Sequence, residues 1–384
     1  ITGLLMLFKS GDHIVVTEDL YGGTCRLFNQ VFNQFGLSFS YVDTTDLAAV
    51  EAAIRPETRA LFVETLTNPL LKFANLPALA ALSRRRGLLL IADNTFLTPY
   101  LMRPLELGAD IPVYSATKYL AGHNDTLGGL VVTNRPELAE RIYFYQNSVG
   151  AVLAPQDSWL TIRGMKTLGI RLDRNQENAL KIATWLEQHP RISKVHYPGL
   201  PQHPDHALMK RQARGFGAMI AFEVDKHALV EQVLLKTRLI SFAESLGGVE
   251  SLITFPEVQT HADIPAELRV RLGINNVLLR LSVGLEDTDR LAVGKVRDNG
   301  VNGFVTKREC SGVAKEEIRL FCIHPAPADH ERVKVAPDRA HAEKLCLDQD
   351  AARTAERFKY GVSRMGTGEI DQRACHPGHH HAGV

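Results

Sequence analysis

Short, continuously apolar runs alternate with stretches of helical spacing along this chain, and that alternation limits its fold more than any other feature. Segments 12–16, 38–42, 60–64, 88–92, 111–115 and 128–132 read as strands. Between them, Tyr21-Gly22-Gly23 turns the chain into a helical stretch that runs through Phe35. Leu47–Ile54 follows an Asp46 cap, and Leu76–Arg86 is a helix that Gly87 is suited to end. Strands that are apolar along their whole length are buried on both faces, with helices as the crossovers. The pattern predicts an α/β fold built on a mostly parallel sheet. Segments 217–224 and 277–283 read as strands of an antiparallel sheet in a smaller region. The expected division is a large domain over 1–168 and a small α/β domain over 169–292.

Composition removes several function classes. In 384 residues, 45% are hydrophobic and 23% charged, enough apolar matter for a sizeable core. Lys plus Arg number 44 against 43 Asp plus Glu, so no global field draws the chain to nucleic acid or to an acidic membrane. The longest apolar runs, 4–8 and 88–92, fall far short of the ~20 residues of a membrane-spanning helix. Five cysteines at this length do not form a disulfide framework, and a reducing cytoplasm is the expected location.

The two ends differ from the middle. Ile1–Phe8 is apolar without a charged leader and reads as the inside of a helix rather than a signal peptide. Beyond about Val293 hydrophobic periodicity weakens, and Cys310, Cys322, Cys346 and Cys375 gather there with His324, His330, His341, His376, His379, His380 and His381. Residues 293–384 are expected to be an unrelated tail. A metal-binding extension using Cys322, His324 and His376–His381 is the rival reading, although no pair has zinc-finger spacing.

In an open parallel sheet, ligands bind beyond the carboxyl ends of the strands. Three strand ends carry chemistry: Glu64 with Asn68 four residues on, Asp93-Asn94-Thr95, and Ser115-Ala116-Thr117-Lys118. A lysine desolvated just past a buried strand becomes a nucleophilic amine, and an aspartate at the neighbouring strand end suits a protonated pyridine nitrogen. Ser115 and Thr117 offer hydroxyls to a phosphate, and Tyr21 offers a ring to stack. Together they suggest a pyridoxal phosphate site with no metal. Each residue also has an ordinary explanation. Lys118 reads equally as a solvated surface residue, Asp93 as a cap or turn former, and Ser115 and Thr117 as partners of nearby backbone. Tyr21 could be turn packing, and Asn68 before Pro69 a turn residue.

At these positions the sequence resembles the pyridoxal-phosphate enzymes of cysteine and methionine metabolism. Ser115-Ala116-Thr117-Lys118-Tyr119 with Gly122-His123, Ala92-Asp93-Asn94-Thr95-Phe96, and Glu64-Thr65-Leu66-Thr67-Asn68-Pro69 match that family in order and spacing. Segments 243–252 and 279–286 resemble its substrate-side and carboxylate-binding segments, and the resemblance runs from about residue 1 to about 292. It implies a type I aminotransferase-like fold, with 1–168 as the cofactor domain. It also implies a homo-oligomer, a dimer of dimers, acting on small amino acids. By resemblance, Lys118 is the Schiff-base lysine and moves substrate protons, Asp93 keeps the pyridine nitrogen protonated, and Tyr21 stacks on the ring and assists proton transfer. Ser115 and Thr117 hold the phosphate, and Asn68 lies beside ring and substrate. Arg280 clamps the α-carboxylate, and Ser245 and Leu246 line that pocket. Arg280 otherwise sits in an alternating strand, where an outward arginine is the usual reading.

The implied chemistry removes protons from the substrate's α- and β-carbons and expels a γ-substituent. A thiol then adds, or hydrolysis gives a 2-oxo acid and ammonia. Glu244 sits where cystathionine-handling members carry a glutamate, suited to a distal ammonium. Segments 260–265 and 122–125 look like bacterial synthase-type members. This favours γ-replacement, as in cystathionine γ-synthase, over γ-elimination, as in cystathionine γ-lyase. An inactive fragment of either is a further alternative, and the 244–252 motif disfavours an ordinary aminotransferase. Complete members carry an N-terminal segment with a phosphate loop and an arm to the neighbouring subunit, and their last helix is replaced here. The chain as written is therefore expected to bind the cofactor weakly, to expose apolar surface, and to fray at its first helix.

Overall fold

Burial on both faces shapes the first half of the chain. The computed structural model describes residues 1–260 and 266–288. β1 (His13–Thr17), β2 (Ser38–Val42), β3 (Thr58–Glu64), β4 (Leu89–Asp93), β5 (Ile111–Ser115) and β6 (Gly129–Val131) form one sheet in the order β2-β1-β3-β4-β5-β6. The first five strands are parallel, and β6 returns antiparallel along β5. Ile14, Phe62, Leu90, Ile91 and Ile111 are fully buried, as continuous apolar strands require.

Local signals set the connections. Asp46 Oδ1 accepts the backbone N–H groups of Ala48 and Ala49 and starts helix Leu47–Ala52. Helix Leu76–Arg86 begins at an Asn75 cap and ends at Gly87, whose φ of 65° is open to a residue without Cβ. The stretch expected as one helix through Phe35 is instead an α turn at Gly22–Arg26, a widened π turn at Leu27–Val31 and a 3-10 turn at Phe32–Phe35. Tertiary packing prevails there: Phe28 stacks on Phe39 at 4.6 Å and meets Phe62 edge-on at 5.3 Å. At the start of the chain, Thr2–Leu5 is a single turn held by the buried side chains of Leu4 and Leu5.

A second sheet contains β7 (Ile192–His196), β8 (Met219–Val224), β9 (Ser241–Phe242), β10 (Leu252–Thr254) and β11 (Leu278–Ser282), ordered β7-β8-β11-β10-β9. It is mixed rather than wholly antiparallel, because the two-residue β9 joins β10 in parallel. That edge strand runs into segment 243–250 and brings it back toward the first sheet.

Helix Leu168–Glu187 links the two sheets through one buried face, including Leu172, Ala179, Ile182 and Leu186. Its buried polar side chains act as fasteners. Arg171 donates to the carbonyls of Tyr119 (2.8 Å), Leu120 (3.2 Å) and Gly164 (2.8 Å). Asn175 donates to Val283 O (2.7 Å), and Asn178 to Gly284 O (3.0 Å) and Glu286 O (2.8 Å). One helix thus fixes both the segment after β5 and the end of β11. Gly122, at φ 75°, lies where any Cβ would collide with the Arg171 guanidinium. All described residues fall in one compact unit, and we propose residue 168 as a seam within it. Among the described residues no helix is long and apolar enough to cross a membrane, and no group of His, Cys, Asp and Glu could hold a metal ion. The 293–384 tail, with Cys322, His324 and His376–His381, lies outside the described residues, as do 261–265.

Candidate active site

Parallel pairing puts three strand ends side by side: Glu64 is the register partner of Asp93, and Asp93 that of Val113. Asp93 Oδ1 accepts the Thr95 N–H at 3.0 Å and the Thr95 hydroxyl at 2.5 Å, and Thr95 Oγ1 accepts the Ser115 N–H at 2.8 Å. Burial holds the Asp93 carboxyl above its usual range, against the Thr95 hydrogen bonds and the nearby Ile1 amino group. Glu64 is pushed well up, first by burial and then by the charge of Asp93, while the Tyr21 N–H it accepts at 2.8 Å opposes the shift.

Beyond Ser115 the chain enters a π turn, Ala116–Leu120, and Lys118 breaks its regularity at φ −93°, ψ −134°. The side chain is part-buried, and Nζ donates to Ser245 Oγ at 3.5 Å. Burial, reinforced by the charge of Arg280 and opposed by Glu244, lowers the Lys118 ammonium to about 8. A usable fraction of neutral amine therefore exists near neutral pH, which a solvated lysine lacks.

Arg280 rises from β11 with 1% of its surface exposed. The alternating-strand reading, which placed it outward, gives way to a built cradle. Nη1 donates to Asn68 Oδ1 at 3.1 Å, and Nη2 to Thr254 Oγ1 (2.8 Å), Glu244 O (2.8 Å) and Ser245 O (3.3 Å). Its Nε is buried without a hydrogen-bond partner among the described residues. Such a donor invites an acceptor such as a carboxylate.

The other expected residues take varied positions. Tyr21 is 50% exposed, and a Cβ on Gly23 would stand 2.6 Å from its ring, so the glycine leaves room for the aromatic face. Asn68 is buried at a cis Asn68–Pro69 bond. Ser115 is half-buried at the end of β5, its backbone N–H donated to Thr95 Oγ1. Thr117 is engaged locally: its hydroxyl accepts the Gly128 N–H at 3.0 Å and donates to Gly128 O at 3.4 Å. Leu246 lies in the apolar core at 4% exposure, beneath the pocket it was expected to line. Glu244 is exposed, and its charge acts on both Lys118 and Arg280.

Four contributors went unassigned on sequence: Glu64, Thr95, Thr254 and Asn124. Glu64 and Thr95 sit at strand ends already singled out, which was the available signal. Thr254 reaches Arg280 across 26 residues, and Asn124 reaches Ser245 and Glu250 across 121 and 126, separations that no local pattern announces.

A model of the family described as "Cys/Met metabolism PLP-dependent enzyme" matches residues 1–293. A cystathionine gamma-lyase of Bacillus subtilis is 52% identical over 301 residues, 78% of this chain and 79% of that protein. A cystathionine gamma-synthase/O-acetylhomoserine (thiol)-lyase of the same organism is 49% identical over 288 residues, 75% of this chain and 73% of that protein. The crystal structure of a cystathionine gamma-lyase from Lactobacillus plantarum complexed with L-serine superposes with a TM-score of 0.73 at 49% identity, covering 75% of this chain and 76% of that one.

Proposed function

Since the chain belongs to the Cys/Met metabolism PLP-dependent enzyme family, we propose that it is a cystathionine γ-lyase. At the coarser level it is a pyridoxal-phosphate-dependent enzyme of transsulfuration chemistry. The donor set fits that cofactor: a low-pKa amine at Lys118, a carboxylate at Asp93, and a half-buried hydroxyl at Ser115. The observation that carries the reading is Arg280, whose buried Nε has no hydrogen-bond partner among the described residues and whose charge acts on the Lys118 amine.

When bound, pyridoxal phosphate supplies an electron sink that acidifies protons on the substrate's α- and β-carbons. Lys118 would hold the cofactor through Nζ, and its amine is the group placed to move protons between substrate carbons. Asp93 would hold the ring nitrogen and keep it protonated, and Tyr21 would offer its ring to the cofactor's face. Ser115 and Thr117 would hold the phosphate, Thr117 by exchanging its long contact to Gly128 O. Arg280 and Asn68 orient the α-carboxylate. Glu244, exposed beside them, receives the distal ammonium of a long diamino acid. Loss of the γ-thiol and hydrolysis then yield cysteine, 2-oxobutanoate and ammonia.

The sequence motifs favour γ-replacement; the lyases among the relatives move the reading to γ-elimination. Replacement remains the second reading, supported by the synthase relative at 49% identity. Incubation with cystathionine, with and without an activated homoserine and cysteine, separates the two. Cysteine and 2-oxobutanoate from cystathionine alone support the lyase, and cystathionine formed faster than it is consumed overturns it. A homo-oligomer in the cytoplasm belongs to the same proposal. It is supported by exposed apolar side chains at Leu127 (76%), Tyr143 (70%), Phe144 (63%) and Trp159 (54%).

A further inference from the structure

The side chain that holds Lys118 is itself held. Ser245 Oγ, which accepts from Lys118 Nζ at 3.5 Å, donates its proton to Asn124 Oδ1 at 3.1 Å. Asn124 Nδ2 in turn donates to Glu250 Oε1 at 2.9 Å. The directions follow from the groups: a carboxylate accepts only, so the Asn124 amide must present its N–H to Glu250 and its oxygen to Ser245. With its proton committed to Asn124, the Ser245 hydroxyl meets Lys118 with lone pairs only. The amine then points an N–H at Ser245 and keeps its own lone pair free for a carbon.

The backbone is shaped around this chain of contacts. Asn124 sits at φ 53°, in the left-handed region that asparagine tolerates better than most residues. A Cβ on Gly248 would collide with the Asn124 amide and stand 3.1 Å from Glu250 Oε2. A Cβ on Gly247, at φ 78°, would stand 2.7 Å from the Tyr119 backbone nitrogen. The segment after Lys118 and the segment bearing Ser245 are therefore clasped at backbone distance, with the amide of Asn124 set into the gap.

We propose that Asn124, buttressed by Glu250, is a positioning residue that fixes the Ser245 hydroxyl as an acceptor and so keeps the Lys118 lone pair available to an electrophile. The inference rests on Lys118 being the reactive amine, and its test does not need the cofactor. Removing Asn124 frees the Ser245 hydroxyl to turn and cap the amine.

The experiment is competitive acylation of the cofactor-free chain with acetic anhydride, read at Lys118 by peptide mass spectrometry across a pH series. Asn124→Gly is the deletion of choice, because glycine adopts the left-handed backbone without strain. Above the pH at which Lys118 is neutral, the variant should acylate about three- to tenfold more slowly than wild type, the worth of one misdirected hydrogen bond. The double variant Asn124→Asp with Glu250→Gln restores the same geometry with donor and acceptor exchanged between 124 and 250, and should return the rate to within about twofold. A plateau rate unchanged in Asn124→Gly, or a loss that the double variant fails to recover, overturns the proposal. Failure of wild type to capture pyridoxal phosphate would strike the functional reading and leave this result standing.

Discussion

Glu64 and Asp93 are register partners at the ends of adjacent parallel strands, a buried and a half-buried carboxyl group whose pKa values are both raised. Two such groups cannot both ionise there without cost, and the site uses them differently. Asp93 is bonded by Thr95, which favours its anion. Glu64 accepts the Tyr21 backbone N–H and serves as a brace.

Glu64→Gln keeps that acceptor and mimics a protonated carboxyl. Cofactor affinity, read by absorbance titration, should stay within about threefold of wild type, whereas Glu64→Ala frees the Tyr21 N–H and should weaken it about tenfold. Equal affinities in the two variants would remove the bracing role.

Asp93→Asn should still take up the cofactor on Lys118, because the amine is untouched. Turnover should fall on the order of a hundredfold or more, since a neutral pyridine is a poor electron sink. Steady-state kcat with cystathionine is the measurement, and near-normal kcat would refute the pairing of Asp93 with the ring nitrogen.

Much of this arrangement was legible in advance. Ser38–Val42, Leu76–Arg86 and Ile111–Ser115 have the limits that apolar runs, caps and Gly87 indicated. The strand ends at Asp93 and Ser115 singled out Asp93 and Lys118 as candidates, because a parallel sheet gathers its carboxyl ends at one crevice. Arg280 was legible through resemblance, whereas its own strand pattern pointed outward; only the burial of β11 between β8 and β10 turns it into a pocket residue. The π turn at Leu27–Val31 and the link from Asn124 to Ser245 depend on packing between distant segments, which periodicity does not encode.

Arg280→Lys tests the clamp. A lysine can fill the space but cannot present a planar fork to Asn68 Oδ1, Thr254 Oγ1 and a carboxylate at once. We expect KM for the amino-acid substrate to rise about ten- to hundredfold, the value of one to two charge-assisted hydrogen bonds, with a smaller change in kcat. Unchanged KM would place the carboxylate elsewhere.

Asp19 gives a pH signature. Its Oδ2 accepts the Thr67 hydroxyl at 2.9 Å, its Oδ1 is buried without a partner among the described residues, and burial pushes it from 3.8 to about 7. A folded-state pKa above the unfolded one means that the stabilisation from neutral Asp19 is complete below 3.8 and is lost as pH rises through about 7. Relative to Asp19→Asn, the wild-type chain should therefore lose about 2–3 kcal/mol of stability between about pH 5 and about pH 8. Urea melts of the two proteins at both pH values check this, and a pH-independent difference would contradict it.

Every role proposed for the site depends on the Lys118 amine. The chain loaded with pyridoxal phosphate, reduced with borohydride and digested, should carry the pyridoxyl mass on the peptide containing Lys118, and Lys118→Ala should carry none and show no turnover. Label on a different lysine, or turnover that survives in Lys118→Ala, would contradict the assigned site and the chemistry built on it.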